Sequence, residues 1–390
     1  MSSAFRFAPW WVATAILGTL AACSSTPLNA PDDKVPTRPA AIATPPAADQ
    51  PRSPVAATIE RARSRWIGAS WAELPGWDRD RAAEFWPAFL RSCERPVAGW
   101  LAACASARKA AIGSDAAVRT WLEQRLQPYR VESPERDAGG LATGYFEPLV
   151  EASRTSRPGF RVGLHAPPPD LASRHPYWTR QQLDALPAAQ KSLRGSEIAW
   201  VRDKLDALLL QIQGSGRLAF AGSGGSASQT VRVAFAGHND QPYRSIGRWL
   251  IDEGELRPGE ASWPAIRAWA RQHPQRVDEM LWQNPRVVFF REEPLPDPAV
   301  GPKGAQGVPL TPGRSIAVDP MSVPYGTPVW LDTTEPLSTA PLRRLTVAQD
   351  TGTAITGGVR ADYFWGWGAE AEAQAGRMKQ PLRMWVLWPR

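Results

Sequence analysis

The chain has 390 residues, length enough for about two or three domains. Its formal net charge of +7 suits an anionic partner such as nucleic acid, an acidic membrane face or cell-wall material. No dense Lys/Arg block or nucleic-acid motif accompanies that charge, so nucleic acid is not an expected partner. The 19 tryptophans are core material first, and also compatible with a surface that stacks on sugar faces.

Residues 1–22 read as a targeting segment rather than a domain. Arg6 supplies the positive start. Trp10–Ala22 is an uncharged apolar run, too short to span a bilayer as a helix. It ends in Leu20-Ala21-Ala22-Cys23, which resembles a bacterial lipobox with Cys23 as the lipidated first mature residue. Ser24 follows, not Asp, and by resemblance to bacterial lipoproteins this favours the outer membrane. The alternative is an ordinary signal peptide cut at small residues. Residues 23–57 are rich in Pro and Ala without periodicity, the composition of an extended tether that gives an anchored domain reach.

Thr58–Tyr129 is predicted helical. Phe85, Trp86, Phe89 and Leu90 recur at helical spacing, as do Trp100, Leu101 and Cys104, then Val118, Trp121 and Leu122, with Pro128 as the stop. Cys93 and Cys104 are the cysteines left after Cys23. In an exported chain they favour one disulfide between neighbouring helices. A metal site has too few ligands there, and a catalytic thiol has no partner nearby in sequence.

Leu141–Val150 is the first clear strand, with Thr143, Tyr145 and Glu147 on one face. Such a polar and aromatic face serves binding or ordinary half-exposure equally well. Arg161–Leu164 is a second short strand, followed by a loop rich in Pro and His. Asp203–Ile212 is a helix that stops at Gln213-Gly214-Ser215-Gly216. No Gly-Lys-Ser/Thr follows, so this is not a phosphate loop. Gly214 and Gly216 cap the helix or allow a ligand close to the backbone. Leu218–Ala221 and Val231–Phe235 read as a hairpin. Tyr243, Arg244 and Ser245 lead into a helix through Ile251, and two more follow around Trp263–His273 and Val277–Trp282. Arg286–Arg291 is a buried-type strand. Ser315–Val318, Pro328–Leu331, Leu342–Ala348 and Leu382–Leu387 come next, the last placed to close a barrel.

Val347–Gly366 organises the chemistry. Asp350 ends a strand, Asp319 ends the short run SIAVD, and Asp362 precedes aromatics after a glycine-bearing turn. Turn chemistry accounts for any one of them. Three strand-end aspartates together look like a carboxylate site in a barrel mouth. Burial of Asp350 between apolar residues would raise its pKa, giving the neutral acid that glycosidic cleavage needs. The four histidines show no zinc-helix spacing. There is no Gly-x-Ser-x-Gly elbow and no Rossmann, Walker or EF-hand pattern, so neither metal nor cofactor is expected.

At TGYFEP (143–148), QGSGR (213–217), AGHNDQPYRSIGRWLIDEGEL (236–256), NPRVVFF (284–290), GVPLTPGRSIAVDP (307–320) and AQDTGTAITGGVRADYFWG (348–366), the chain resembles the membrane-bound lytic murein transglycosylase A family. The resemblance runs from about Trp66 to the C-terminus. The last two blocks resemble the family's 3D region, named for three aspartates.

The resemblance implies a mainly β fold with helices (α+β). A double-psi-type β-barrel is built from residues 58–147 and 284–390, a small β-rich domain (148–283) is inserted, and a glycan groove lies between them. It implies an exo-acting lytic transglycosylase that cleaves the β-1,4 bond between N-acetylmuramic acid and N-acetylglucosamine. One acid/base aspartate leaves 1,6-anhydro ends. By position Asp350 matches the catalytic aspartate, with Asp319 and Asp362 as the flanking pair. Thr143 and Tyr145 match one side of the groove; Gln213, Gly214, Ser215, Gly216, Tyr243, Arg244 and Ser245 match the other. Peptidoglycan strands, the outer membrane through a lipid on Cys23 at its periplasmic face, and cell-wall synthesis or remodelling proteins are the implied partners. A non-catalytic peptidoglycan-binding lipoprotein and a two-carboxylate glycan hydrolase are the competing readings.

Overall fold

The strands of the chain fall into two sheets, one nested within the other along the sequence. The structure is a computed structural model that describes residues 58–222 and 228–390. Cys23, the targeting segment and the tether lie outside the described residues. The chain opens with β1 (Ile59–Glu60), β2 (Arg65–Gly68), β3 (Leu126–Glu132) and β4 (Gly140–Glu147) in the first sheet. It then builds the second from β5 (Leu149–Ser153), β6 (Val162–His165), β7 (Glu197–Val201), β8 (Ser215–Phe220), β9 (Gln229–His238) and β10 (Val288–Glu293). It returns to the first with β11 (Ser315–Val318), β12 (Pro328–Thr334), β13 (Pro341–Asp350), β14 (Arg360–Trp367) and β15 (Lys379–Pro389).

The first sheet closes on itself. Its order is β1-β2-β3-β15-β12-β13-β11-β14-β4, and β15 also pairs with β4. The ring β4-β15-β12-β13-β11-β14 therefore has no free edge. The long last strand closes it by pairing with β12 and β3 through its C-terminal half and with β4 through Lys379–Leu382. Val318, Val329, Leu331, Ala348, Met384 and Val386 fill one core on this sheet.

Three helices, α1 (Trp86–Ser92), α2 (Leu101–Lys109) and α3 (Asp115–Arg125), share an apolar core with Trp330, Leu345 and Val347 of the ring. Trp66, Trp86, Trp100, Trp121 and Trp330 are buried, so these tryptophans are core. The Cys93–Cys104 disulfide ties the end of α1 to α2.

The second sheet carries α4 (Arg180–Ala185), α5 (Pro187–Leu193), α6 (Lys204–Gln213), α7 (Ile246–Asp252), α8 (Trp263–Gln272) and α9 (Val277–Trp282). Asp203, Ser245 and Ser262 cap α6, α7 and α8 by accepting from the backbone N–H three residues on. A last helix, α10 (Gly368–Ala375), follows β14. Among the described residues no helix is long and apolar enough to cross a membrane.

Three sequence expectations need correction. Thr58–Tyr129 is not helical throughout, because Trp66 lies in β2 and Pro128 lies in β3 rather than at a helix end. Pro128 precedes Tyr129, the first β3 residue paired with β2, where a missing N–H donor costs least. Leu141–Val150 is two strands. Pro148, which cannot donate to a ladder, separates β4 of one sheet from β5 of the other. Asp362 does not end a strand; it is the third residue of β14, where Tyr363, Phe364 and Trp365 favour extended backbone.

Candidate active site

Four neighbouring strands bring one residue each into a single row. Asp350 on β13 pairs with Ala317 on β11, Ala317 with Asp362 on β14, and Asp362 with Thr143 on β4. A register shift makes the row possible. Ile316 pairs with Ala348 but Ala317 pairs with Asp350, so Gln349 is the extra residue of a bulge. Gln349 turns inward, fully buried, to Ser315, Ala88 and Ser92. The bulge thereby re-aims Asp350 onto the face that Asp362 and Thr143 share.

The Asp350 carboxylate is held at both oxygens. Oδ1 accepts from the N–H of Ala305 and of Thr351, each at 2.9 Å. Oδ2 accepts from the Tyr145 hydroxyl at 3.0 Å. Gly304 lets the Ala305 loop come this close, since a Cβ there would stand 2.4 Å from the Gln349 carbonyl oxygen. Burial pushes the Asp350 carboxyl up to about 6. Its hydrogen bonds pull the other way and the Asp362 charge adds to the rise. Asp362 is also raised by burial, against the Thr143 hydroxyl and Arg360. Thr143 Oγ1 donates to Asp362 Oδ1 at 2.5 Å and receives Arg360 Nη2 at 2.9 Å. Burial and the two aspartates hold the Tyr145 phenol well above its usual pKa, so it stays a donor.

Asp319 has a different setting. It follows β11, is buried, and its carboxylate accepts from Arg63 Nη1 at 3.0 Å and from the N–H of Gly357 and Met321, each at 2.9 Å. It thereby fastens the turn that leads into β14. Glu147, on the same strand as Thr143 and Tyr145, is fully buried between Arg217 and Arg232. Both of its oxygens are engaged, Oε2 by Arg217 and Oε1 by Arg232.

The residues expected on the other side of the groove are spread over the second sheet and its helices. Gln213 Oε1 accepts from the Phe146 N–H at 3.1 Å, next to Tyr145 in the chain. Gly214 ends α6 with φ +76, as a helix cap requires. Gly216 has no room for a side chain, with Leu210 Cδ2 2.1 Å from the place of a Cβ. Ser215 pairs with Ala234 in the sheet. Ser245 caps α7, and Tyr243 two residues before it is half-buried. The Arg244 N–H donates to Asn284 Oδ1 at 3.3 Å. Among the described residues none of these makes a hydrogen bond to Asp350 or Asp362.

Sequence reasoning missed Ala305 and Gly304, Arg360 beside Asp362, and Tyr325, whose phenol is held above its usual pKa by burial and by the charges of Asp350 and Asp319. The glycine-punctuated run GPKGAQG (301–307) was the visible signal for the first two. Nothing in the sequence signalled the others.

Residues 141–291 match the MltA specific insert domain, and residues 314–388 match the 3D domain. The membrane-bound lytic murein transglycosylase A of Escherichia coli K12 is 32% identical over 268 residues, 67% of this chain and 69% of that protein. The chain belongs to the membrane-bound lytic murein transglycosylase A family. Solved structures of its kind superpose as well. The lytic transglycosylase LtgG of Burkholderia pseudomallei is 46% identical with a TM-score of 0.58, across 85% of this chain and 97% of that one. E. coli MltA with bound chitohexaose is 28% identical with a TM-score of 0.64, across 79% and 90%. The family relation brings the 3D block and the row of Asp350, Ala317 and Asp362 into one description, since β11, β13 and β14 all lie within residues 314–388.

Proposed function

We propose that the chain is a lytic transglycosylase that cleaves the β-1,4 bond between N-acetylmuramic acid and N-acetylglucosamine in peptidoglycan, with Asp350 as its single acid/base. The observation that carries this reading is the half-buried Asp350 carboxyl, pushed up to about 6 and fixed at both oxygens. A group so poised holds a proton long enough to give it away and is a competent base afterwards.

Oδ1 already accepts two N–H donors, so the transferable proton sits on Oδ2, beside Tyr145. That proton goes to the leaving O4 as the C1–O bond breaks. The muramic C6 hydroxyl then bonds to C1 and returns its proton to the Asp350 carboxylate, closing the 1,6-anhydro ring and restoring the acid. Because the second nucleophile belongs to the same sugar, proximity replaces a second catalytic carboxylate. Asp362, held by Thr143 and near Arg360, tunes Asp350 and stabilises positive charge near C1. Asp319 acts through position, by fixing the turn before β14.

In this reading the closed ring is the double-psi-type barrel of the main domain, and the second sheet forms the inserted domain, which β10 (Val288–Glu293) extends past the boundary at residue 283 expected from the resemblance. A glycan groove runs between them, with Thr143 and Tyr145 on one wall and Gln213–Gly216 and Tyr243–Ser245 on the other. A relative was solved with chitohexaose bound, which supports a glycan strand as ligand. A lipid on Cys23 and the tether place the domain at the periplasmic face of the outer membrane, within reach of the wall and of wall-remodelling proteins.

A two-carboxylate hydrolase is favoured by one observation, that Asp362 is raised alongside Asp350. Digestion of purified peptidoglycan with the form starting after Cys23, beside Asp350→Asn, separates the readings by mass spectrometry. Anhydro ends from the unaltered protein alone are expected. Reducing ends mean that water attacked, and binding without cleavage by either protein means a glycan-binding module.

A further inference from the structure

Arg286 stands between the catalytic loop and a cleft of the second sheet. Its Nη1 donates to Thr353 Oγ1 at 3.1 Å, three residues beyond Asp350. Its Nε and Nη2 have no hydrogen-bond partner, and no carboxylate lies within 4.0 Å of it among the described residues. It is half-buried, and burial lowers its pKa despite the attraction of Asp240. Asp240 is already committed: its Oδ2 accepts from His175.

The cleft holds about 430 Å³ and is walled by Pro167–Pro169, Leu171 and Phe235, with His175, His238 and Asp240 as its polar side. Arg286 lies close enough to depress the His238 pKa, which burial depresses further. His238 Nδ1 accepts the Asp240 N–H at 3.0 Å, so its proton is on Nε2. The guanidinium fork is not part of the cleft lining; the β9–β10 ladder, which pairs Val288 with His238, sets it near the polar end of the cleft, and its bond to Thr353 links it to the Asp350 loop. A half-desolvated arginine without a counter-ion is a binding site for a carboxylate, which its planar fork takes through two parallel bonds.

We propose that Arg286, assisted by His238, binds a carboxylate carried on the lactyl arm of the muramic sugar and so determines which strands seat productively at Asp350. The inference rests on the peptidoglycan reading above. Two sources share this chemistry, the acidic peptide on the arm and the lactyl carboxylate itself once the peptide is gone. The apolar wall of Pro167–Pro169 and Phe235 favours the peptide, whose aliphatic parts it would cover.

The test measures binding in the Asp350→Asn protein, so that no strand is cut. Dissociation constants are compared with and without Arg286→Gln for peptide-bearing strands, amidase-stripped strands and chitohexaose, which carries no carboxylate. The expected result is that Arg286→Gln weakens peptide-bearing strands at least about tenfold more than chitohexaose, a gap that shrinks with added salt. An equal gap for stripped strands supports the site and assigns the lactyl carboxylate; a gap confined to peptide-bearing strands assigns the peptide. Equal weakening of all three ligands, or of none, overturns the proposal. Arg286→Lys guards against misfolding. It keeps the charge without the fork and is expected to fall between the other two, whereas Lys indistinguishable from Gln with an unchanged melting temperature counts against carboxylate recognition. Failure of the unaltered protein to produce anhydro ends would sink the enzymatic reading alone, since these binding ratios do not depend on cleavage.

Discussion

Asp350 and Asp362 face the same side of the ring with only Ala317 between them. Each pairs with Ala317 from opposite sides, so their backbones stand two strand spacings apart, about 10 Å. In the proposed reading a reacting sugar seats between the two carboxyl groups, over this small buried alanine. Ala317→Val puts two extra methyl groups into that space and is expected to lower kcat by about 10- to 100-fold. Overpacking at a cost of about 1–3 kcal/mol should lower the melting temperature. Steady-state release of anhydro-muropeptides checks the first effect and a thermal melt the second. Unchanged kcat would mean that the sugar does not pass between the two carboxyls.

The pH profile should follow the Asp350 proton. With its pKa pushed up to about 6, the acid form empties as pH rises through that value, and kcat/KM should fall on the alkaline side. Asp362→Asn removes a charge that raises Asp350, so the alkaline limb should move to lower pH. Tyr145→Phe removes a hydrogen bond that lowers it, so the limb should move to higher pH. Each displacement should be on the order of one unit or less. Displacements in the same direction would contradict the assignment.

Asp350 also sets a stability window. Its folded pKa of about 6 exceeds the unfolded value of 3.8, so the native state binds the proton more tightly. Stability is therefore undiminished below the unfolded value, falls as pH rises between the two, and stays lowered above about 6. Asp350→Asn should raise stability at about pH 8, by at most about 3 kcal/mol, and give no gain near pH 3.5. Urea denaturation at both values reads this directly. A variant less stable than the parent at pH 8 would rule out a raised pKa.

Asp319 should behave in the opposite way. Burial alone would raise it, but the N–H groups of Gly357 and Met321 and the Arg63 guanidinium outweigh burial and hold it below the usual carboxylate value. It contributes stability above its unfolded pKa, and that contribution is lost as pH falls through its lowered folded pKa. Asp319→Asn should cost about 1–3 kcal/mol at pH 7 and progressively less in acid. Hydrogen exchange should show the Gly357–Val359 turn loosened. A stable variant with lost activity would instead place Asp319 in contact with substrate.

Much of the secondary structure was legible because its signals are local. Asp203 and Ser245 announce helix starts, Gly214 a helix end, alternation marks β13, and the Gly/Ser loop marks the hairpin of β8 and β9. The short strands β1 and β2 were not legible. Two to four residues carry too little periodicity, and the buried Trp66 looks the same on a helix or a strand. Asp350 stood out by its place after an apolar run. Its supports did not, because Tyr145 and Ala305 lie 205 and 45 residues away in the chain.

The sequence by itself determined the family resemblance, the disulfide pair, most helices and the identity of the three aspartates, all of which depend on residue type and short spacing. Only the tertiary structure decided how those aspartates differ. A one-residue bulge at Gln349, invisible in the alternation, turns Asp350 onto the face it shares with Asp362, while Arg63 and two backbone N–H groups hold Asp319 in a separate network. Likewise Glu147 reads as a free carboxylate until β8 and β9 bring Arg217 and Arg232 against it. The reason is physical. A carboxylate's chemistry follows from its desolvation and its neighbours, and those come from strands far apart in sequence that meet only when the ring closes.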